Sequence, residues 1–184
     1  MNKIVLSLIV IACFFSSCSK KQDPFLISNK SIGMLTDSTK VTDLERIFPN
    51  DSIVKLSVNE AIQSSNYDIE VFDKTGKKLL VLSPNKMSDS SATITNVKIV
   101  DPRYITTKGI TTESTFGEIQ KKYKVSNIQN TIKNVVFFVN EIDAFFTIDK
   151  KELPAKLQFD SNTKIEAIHI PETAKIKYFM IGWN

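Results

Sequence analysis

The sequence predicts an α+β fold of two similar halves, each a short helix packed on a small antiparallel β-meander. Three observations predict it. One amphipathic helical stripe occurs twice at a constant spacing, each copy precedes a series of short apolar runs, and turn-forming residues separate those runs. Helices and strands segregated in this way pack with the helices on one face of an antiparallel sheet.

The stripe comes first. Residues 39–48 lie over residues 114–123 at an offset of 75, so that Val41, Leu44 and Phe48 match Phe116, Ile119 and Tyr123. These are i, i+3, i+7 positions, one face of an α-helix. Asp43 matches Glu118 and Arg46 matches Lys121, acid near the start and base near the end, as the helix dipole prefers. Thr115 with Glu118 has the spacing of a capping box. Each stripe follows a glycine-containing entry, Ile32-Gly33-Met34 in one half and Gly109-Ile110 in the other. A duplicated unit, with halves of about 27–104 and 105–184, accounts for the echo.

Strands follow each stripe. In the first half Ser52–Val58 alternates loosely, and Ile69–Phe72 and Leu79–Leu82 flank Asp73-Lys74-Thr75-Gly76-Lys77, a hairpin turn with Gly where positive φ is wanted. Asn96–Val100 is stopped by Asp101-Pro102. In the second half Val135–Val139 and Ala144–Ile148 flank a hairpin turn at Asn140-Glu141-Ile142-Asp143. Ile165–Ile170 then reads as a strand ending at Pro171, and Ile176–Trp183 as a strongly apolar last strand.

The start of the chain carries an address. Lys3 precedes an apolar run, Ile4 to Phe15, broken only by Ser7. The run is about a dozen residues, too short for the roughly 20 of a spanning helix and the length of a signal-peptide core. Phe15-Ser16-Ser17-Cys18 then has the form of a lipobox: small residues fit a narrow peptidase subsite, and the thiol receives diacylglycerol. The competing readings are an ordinary secretory signal or a buried N-terminal helix. The expected organisation is therefore a lipoprotein signal peptide at 1–17, a flexible tether at 18–26 from lipidated Cys18, and a globular domain at 27–184. Anchoring needs more than one acyl chain, each buried methylene contributing about 0.8 kcal/mol, and a diacylated or triacylated Cys18 meets that condition.

Removing the first 17 of 184 residues leaves 167, one domain or two small halves, and takes away Cys13. With Cys18 alkylated, no thiol remains for a disulfide, a zinc site or a nucleophile. Losing Lys3 lowers the formal charge from +4 to +3, which argues against nucleic acid as a partner. Lys20 and Lys21 lie beside the anchor, where they meet anionic lipid or belong to a solvated tether. Ser19 follows the cysteine, with no Asp where inner-membrane retention commonly places one. Lys20-Lys21-Gln22-Asp23 lacks an acidic run. The expected address is the outer membrane, facing the periplasm.

A lipobox, a Gly-containing helix entry, Val97-Lys98-Ile99-Val100-Asp101, the Gly109–Ile119 segment and the closing Lys177–Trp183 strand occur in that order. In these the chain resembles the small sigma-E-regulated bacterial envelope lipoproteins, a domain family of unknown function. Some members carry two cysteines flanking the strand after the second helix, and Tyr123–Phe138 has none. The resemblance implies an envelope address; it implies no activity and no site residues.

No catalytic, cofactor-binding or metal site stands out. His169 is the single histidine, and no second histidine or thiol accompanies it. No Gly-x-Ser-x-Gly elbow is present. Glu141 and Asp143 fall at a hairpin tip, where water keeps carboxylates ordinary. Asp160-Ser161-Asn162 lacks the ligand spacing of a calcium loop. Trp183 reads as an anchor for the last strand. The aromatic pairs Phe137/Phe138 and Phe145/Phe146 say more. Neighbours on a strand point to opposite faces, so both faces of this hairpin carry Phe, one under the helix and one against the first half, a ligand or a partner. Phe137, Phe138, Phe145 and Phe146 are the candidate partner or ligand surface. The sequence thus leads to a non-enzymatic binding or assembly module anchored through Cys18, with an envelope protein as partner. The alternative is a carrier or sensor of a hydrophobic small molecule between the halves.

Overall fold

The computed structural model describes residues 22–55, 68–86, 91–159 and 163–183. Cys13, Cys18, the expected signal peptide, Lys20-Lys21 and the Asp160-Ser161-Asn162 turn lie outside these residues. The described chain is α+β, mostly strand, in two sheets with a few short helices.

The larger sheet has eight antiparallel strands. The first meander comprises β4 (Ser52–Lys55), β5 (Ile69–Phe72), β6 (Lys78–Pro84) and β7 (Ile94–Ile99). The second comprises β9 (Asn127–Asn130), β10 (Asn134–Val139), β11 (Ala144–Asp149) and β12 (Ile176–Gly182). Their spatial order is β4-β5-β6-β7-β12-β11-β10-β9. The meanders meet at their last strands, with Phe179 opposite Ile99 and Ile181 opposite Val97. The two small sheets expected from the sequence are therefore one continuous ladder. A long apolar strand such as Ile176–Gly182, buried along its centre, needs a partner on each side, and β7 and β11 supply them.

Register places two adjacent rows across the whole sheet. Ile128, Phe137, Phe146, Phe179, Ile99, Leu80, Val71 and Ile53 face inward. Asn127, Phe138, Phe145, Met180, Lys98, Val81, Glu70 and Val54, each the next residue along, face outward. Strand alternation produces both rows from the same four-to-seven-residue segments.

Over the inward row lie α1 (Leu44–Ile47), entered through a 3-10 turn at Val41–Asp43, and α2 (Phe116–Lys122). A third helix, α3 (Ala155–Gln158), follows β11 and buries Leu157. The predicted stripe is the buried face of both longer segments: Val41 and Leu44 in one, Phe116, Ile119 and Tyr123 in the other. The Thr115 hydroxyl accepts from the Glu118 N–H and the Glu118 carboxylate accepts from the Thr115 N–H, as a capping box requires.

The smaller sheet has no signature in the sequence pattern. Its order is β3-β2-β1-β8, from Leu35–Thr36, Ser31–Ile32, Leu26–Ser28 and Ile105–Thr106, with β1 and β8 parallel. Strands of two or three residues show no alternation to read. Leu26 and Phe25, expected at the end of the tether, are taken up here; the Phe25 ring meets Tyr104 edge-on at 5.1 Å. Ile165–Ile170, predicted as a strand, instead contains a 3-10 turn at Ala167–His169 that leaves Ile168 87% exposed.

Candidate functional site

Of the four phenylalanines singled out by the sequence, Phe137 and Phe146 are wholly buried. They stack at 5.2 Å, Phe146 continues onto Phe179 at 4.5 Å, and Phe116 of α2 meets Phe137 edge-on at 5.1 Å. These rings are core and present nothing outward. Phe138 and Phe145 occupy the other face, stacked at 6.0 Å and half-buried. The Phe145 ring lies over Gly182, where a side chain's Cβ would meet it at 3.2 Å. Glycine thus keeps that aromatic flat against the sheet. Met180 extends the row to Lys98, whose ammonium sits 4.2 Å above the Tyr178 ring. Among the described residues Lys98 has no carboxylate partner, whereas its neighbours Lys78 and Lys177 pair with Glu70 and Asp149 at 2.6 and 3.0 Å. A depression of about 480 Å³ runs here across the seam between the meanders, lined by Val81, Lys98 and Tyr178.

A larger cavity, about 690 Å³, opens at the far end of the first meander. Five separate stretches build it: Pro24-Phe25, the β2–β3 turn, the end of α1, the β5–β6 hairpin and the segment after β7. Its apolar walls are Phe25, Ile32, Met34, Ile47, Phe48 and Leu79. Its floor is charged. Arg103 donates through Nε to Asp101 at 3.0 Å and through Nη2 to Asp101 and Asp73 at 3.0 and 2.6 Å. Lys77 reaches Asp101 at 3.0 Å, and the guanidinium lies 5.0 Å from the centre of the Phe25 ring. Asp101 is completely shielded from solvent. Burial opposes its charge, but hydrogen bonds from Arg103 and Lys77 outweigh that and hold its carboxyl down to about 2. Asp73 is held well below the usual carboxylate range by hydrogen bonds from Thr75 and Arg103. Asp51, which also lines the cavity, moves the opposite way, raised by burial and by the nearby Asp73 charge. Tyr104 is raised as well, chiefly by burial, and stays a neutral phenol.

No motif or periodicity in the sequence marks this cluster. Asp51, Asp73 and the pair Arg103-Tyr104 lie on three separate segments, and the one local signal is Asp101-Pro102-Arg103, a strand-stopping turn. The other candidates are bland. His169 is half-exposed and accepts from the Glu166 N–H through Nδ1 at 3.1 Å. Glu141 accepts from Lys108 at 2.6 Å and from the Lys124 N–H, which lowers its pKa and keeps it ionised. Asp143 takes the left-handed turn position at φ 51°. Trp183 is buried; its backbone N–H donates to the Thr95 carbonyl at 2.7 Å, whereas its indole N–H has no partner among the described residues. Among the described residues no group of three His, Cys, Asp or Glu is placed to hold a metal ion, and no helix is long and apolar enough to cross a membrane.

No family model and no curated protein sequence matches the chain. Among solved structures, the crystal structure of the uncharacterized protein yfeY from Escherichia coli is similar, with a TM-score of 0.52 at 13% identity. The match covers 85% of this chain and 98% of that one. At this identity the likeness concerns the fold alone.

Proposed function

We propose that the chain is a lipid-anchored cell-envelope protein, attached through Cys18, that works as a non-enzymatic binding or assembly module of the sigma-E-regulated lipoprotein type. The outward row Phe138–Phe145–Met180 carries this reading. It is a contiguous apolar strip on a sheet face, ending in a lysine with no carboxylate partner among the described residues, and such surface complements a partner that is apolar with an acidic margin. The address rests on the signal and lipobox, with the outer membrane and a periplasm-facing domain as its expected place. Two related halves underlie the module. Both stripes join the sheet alike: Lys40 bridges Thr93 and Thr115 bridges Lys175, while the Val41 and Phe116 N–H groups donate to Ala92 and Ala174, each at 2.9 Å.

The test has two parts. Incorporation of labelled fatty acid into the wild type and its loss in Cys18→Ala checks the anchor. A photo-crosslinking residue at position 180 in intact cells is expected to give a discrete protein adduct that Phe138→Ser and Phe145→Ser abolish. The same adduct from a crosslinker on the buried-face side, at exposed Glu45, would sink the surface assignment. The alternative is a carrier or sensor that holds a hydrophobic small molecule between the halves. They meet there through a backbone ladder and the shallow seam depression, whereas the larger cavity lies at one end of the first meander.

A further inference from the structure

We propose that the cavity beside Arg103 is a binding site for the ammonium group of an amphipathic amine, with Asp51 as its counter-ion, Tyr104 as a hydrogen-bond partner, and Phe25 and Phe48 as its apolar wall. The argument starts from which charges are already satisfied. The Asp73 oxygens accept from the Thr75 and Lys77 N–H groups, the Thr75 hydroxyl and Arg103. Asp101 is saturated by the Arg103 backbone and side chain and by Lys77. These contacts leave the Asp51 carboxyl, which no side-chain hydrogen bond or ion pair holds among the described residues. Arg103 is near enough to attract it but is committed to the other two carboxylates. The charged groups lining the cavity are thus Asp51 and Asp73 against Arg103 and the solvated Lys74, while Asp101 and Lys77 pair outside the lining.

The second observation is Tyr104. It is only 2% exposed and lines the cavity, and its hydroxyl likewise has no hydrogen-bond partner among the described residues. The hydroxyl itself reaches solvent in the cavity, and a bound N–H group can take the place of water there. A neutral phenol accepts an N–H bond, and aromatic faces attract an ammonium that has left water. Burial first, and then the Asp73 charge, raise the pKa of Asp51, and an arriving ammonium opposes both. The apolar walls take the hydrocarbon of the same molecule.

Two sources present this chemistry: a free amine, or the ethanolamine headgroup of a membrane lipid. The site stands apart from the outward row. Only the membrane source rests on the Cys18 anchor, from which the six residues to Pro24 span at most about 20 Å.

Met34 lines the cavity and Met180 lies on the outward row, so the 13C-labelled methionine methyls of the full-length protein report the two places separately. In phosphatidylcholine nanodiscs, butylammonium is expected to shift Met34 saturably and leave Met180 unmoved, with binding about tenfold or more weaker in Asp51→Asn. Tyr104→Phe is expected to weaken it less. An unshifted Met180 resonance in each variant shows that the fold is intact. Butyrate or butanol shifting Met34 as strongly as butylammonium overturns the proposal, as does unchanged binding in Asp51→Asn. Nanodiscs containing ethanolamine lipid then identify the source. A Met34 shift without added amine supports the site with the lipid as ligand, and a shift with soluble amine alone supports it with a free amine.

Discussion

The helix entering the first meander and the helix entering the second join the sheet through the same pair of backbone contacts, yet they finish differently. The second is capped by Thr115, runs to Lys122 and buries Tyr123 just beyond its end. Phe116 drives into a stack of Phe137, Phe146 and Phe179. The first begins at Lys40, which has no hydroxyl to cap with. It spends its opening turn as 3-10 helix and stops at Ile47, leaving Phe48 only half-buried. Beneath it the inward row is Ile99, Leu80, Val71 and Ile53, aliphatic throughout. Aromatic filling and a longer helix close the second junction, and the space left beside the first is the cavity. The junction that packs less tightly is the one beside the cavity.

The comparison breaks most severely in the aromatic stack. Phe146→Ala is expected to cost about 3–5 kcal/mol, and Phe48→Ala, at the cavity wall, less than about 1 kcal/mol, both read by urea denaturation. If the two costs are similar, the second junction is not the better packed. Gly117→Ala comes next. A Cβ there would sit 2.7 Å from that of Glu172 and 2.9 Å from its carbonyl oxygen, and overpacking of this kind costs roughly 1–3 kcal/mol. The matching residue of the first junction, Thr42, is exposed, and Thr42→Ala is expected to be near neutral by the same assay.

The charged floor of the cavity sharpens the contrast through pH. Asp101 titrates in the folded state near 2, below the roughly 4 of an unfolded aspartate. Its contribution is therefore complete above about pH 4 and is lost as pH falls towards 2. The melting temperature should drop across that window, and the drop should shrink in Asp101→Asn. A slope identical in the two proteins would rule out this network as a source of acid sensitivity. The smallest expected effect separates the two caps: Thr115→Ala should cost about 1 kcal/mol, and Lys40→Ala no more than about 0.5 kcal/mol.

What the sequence made legible was periodic. The stripes at Val41, Leu44 and at Phe116, Ile119, Tyr123 are the buried faces, Gly76 turns its hairpin at φ 82°, and the paired phenylalanines divide between the two faces. What it hid depended on partners distant along the chain. Ile165–Ile170 has the apolar content of a strand, but β12 is already flanked by β7 and β11, and the segment folds into a turn that buries Ile165 and Ile170. The junction of β7 with β12 is a pairing of strands roughly 80 residues apart, and alternation says which face a residue takes but never which strand lies beside it. The cavity was hidden for the same reason, because each of its five contributing stretches is unremarkable alone. Asp51 in particular reads as an ordinary loop acid after Pro49-Asn50.

The position of β12 also bears on how the molecule is made. Among the described residues it is the last of twelve strands in chain order, and it lies at the centre of the larger sheet. A chain synthesised from its N-terminus completes both neighbours, β7 well ahead and β11 shortly ahead, before residues 176–182 exist. Until then β7 and β11 are open edges, free to recruit strands from other molecules. Closure waits on contacts of long sequence separation, the slow kind. The nascent protein thus exposes those two edges until β12 arrives, and any chaperone that shields it has them to cover.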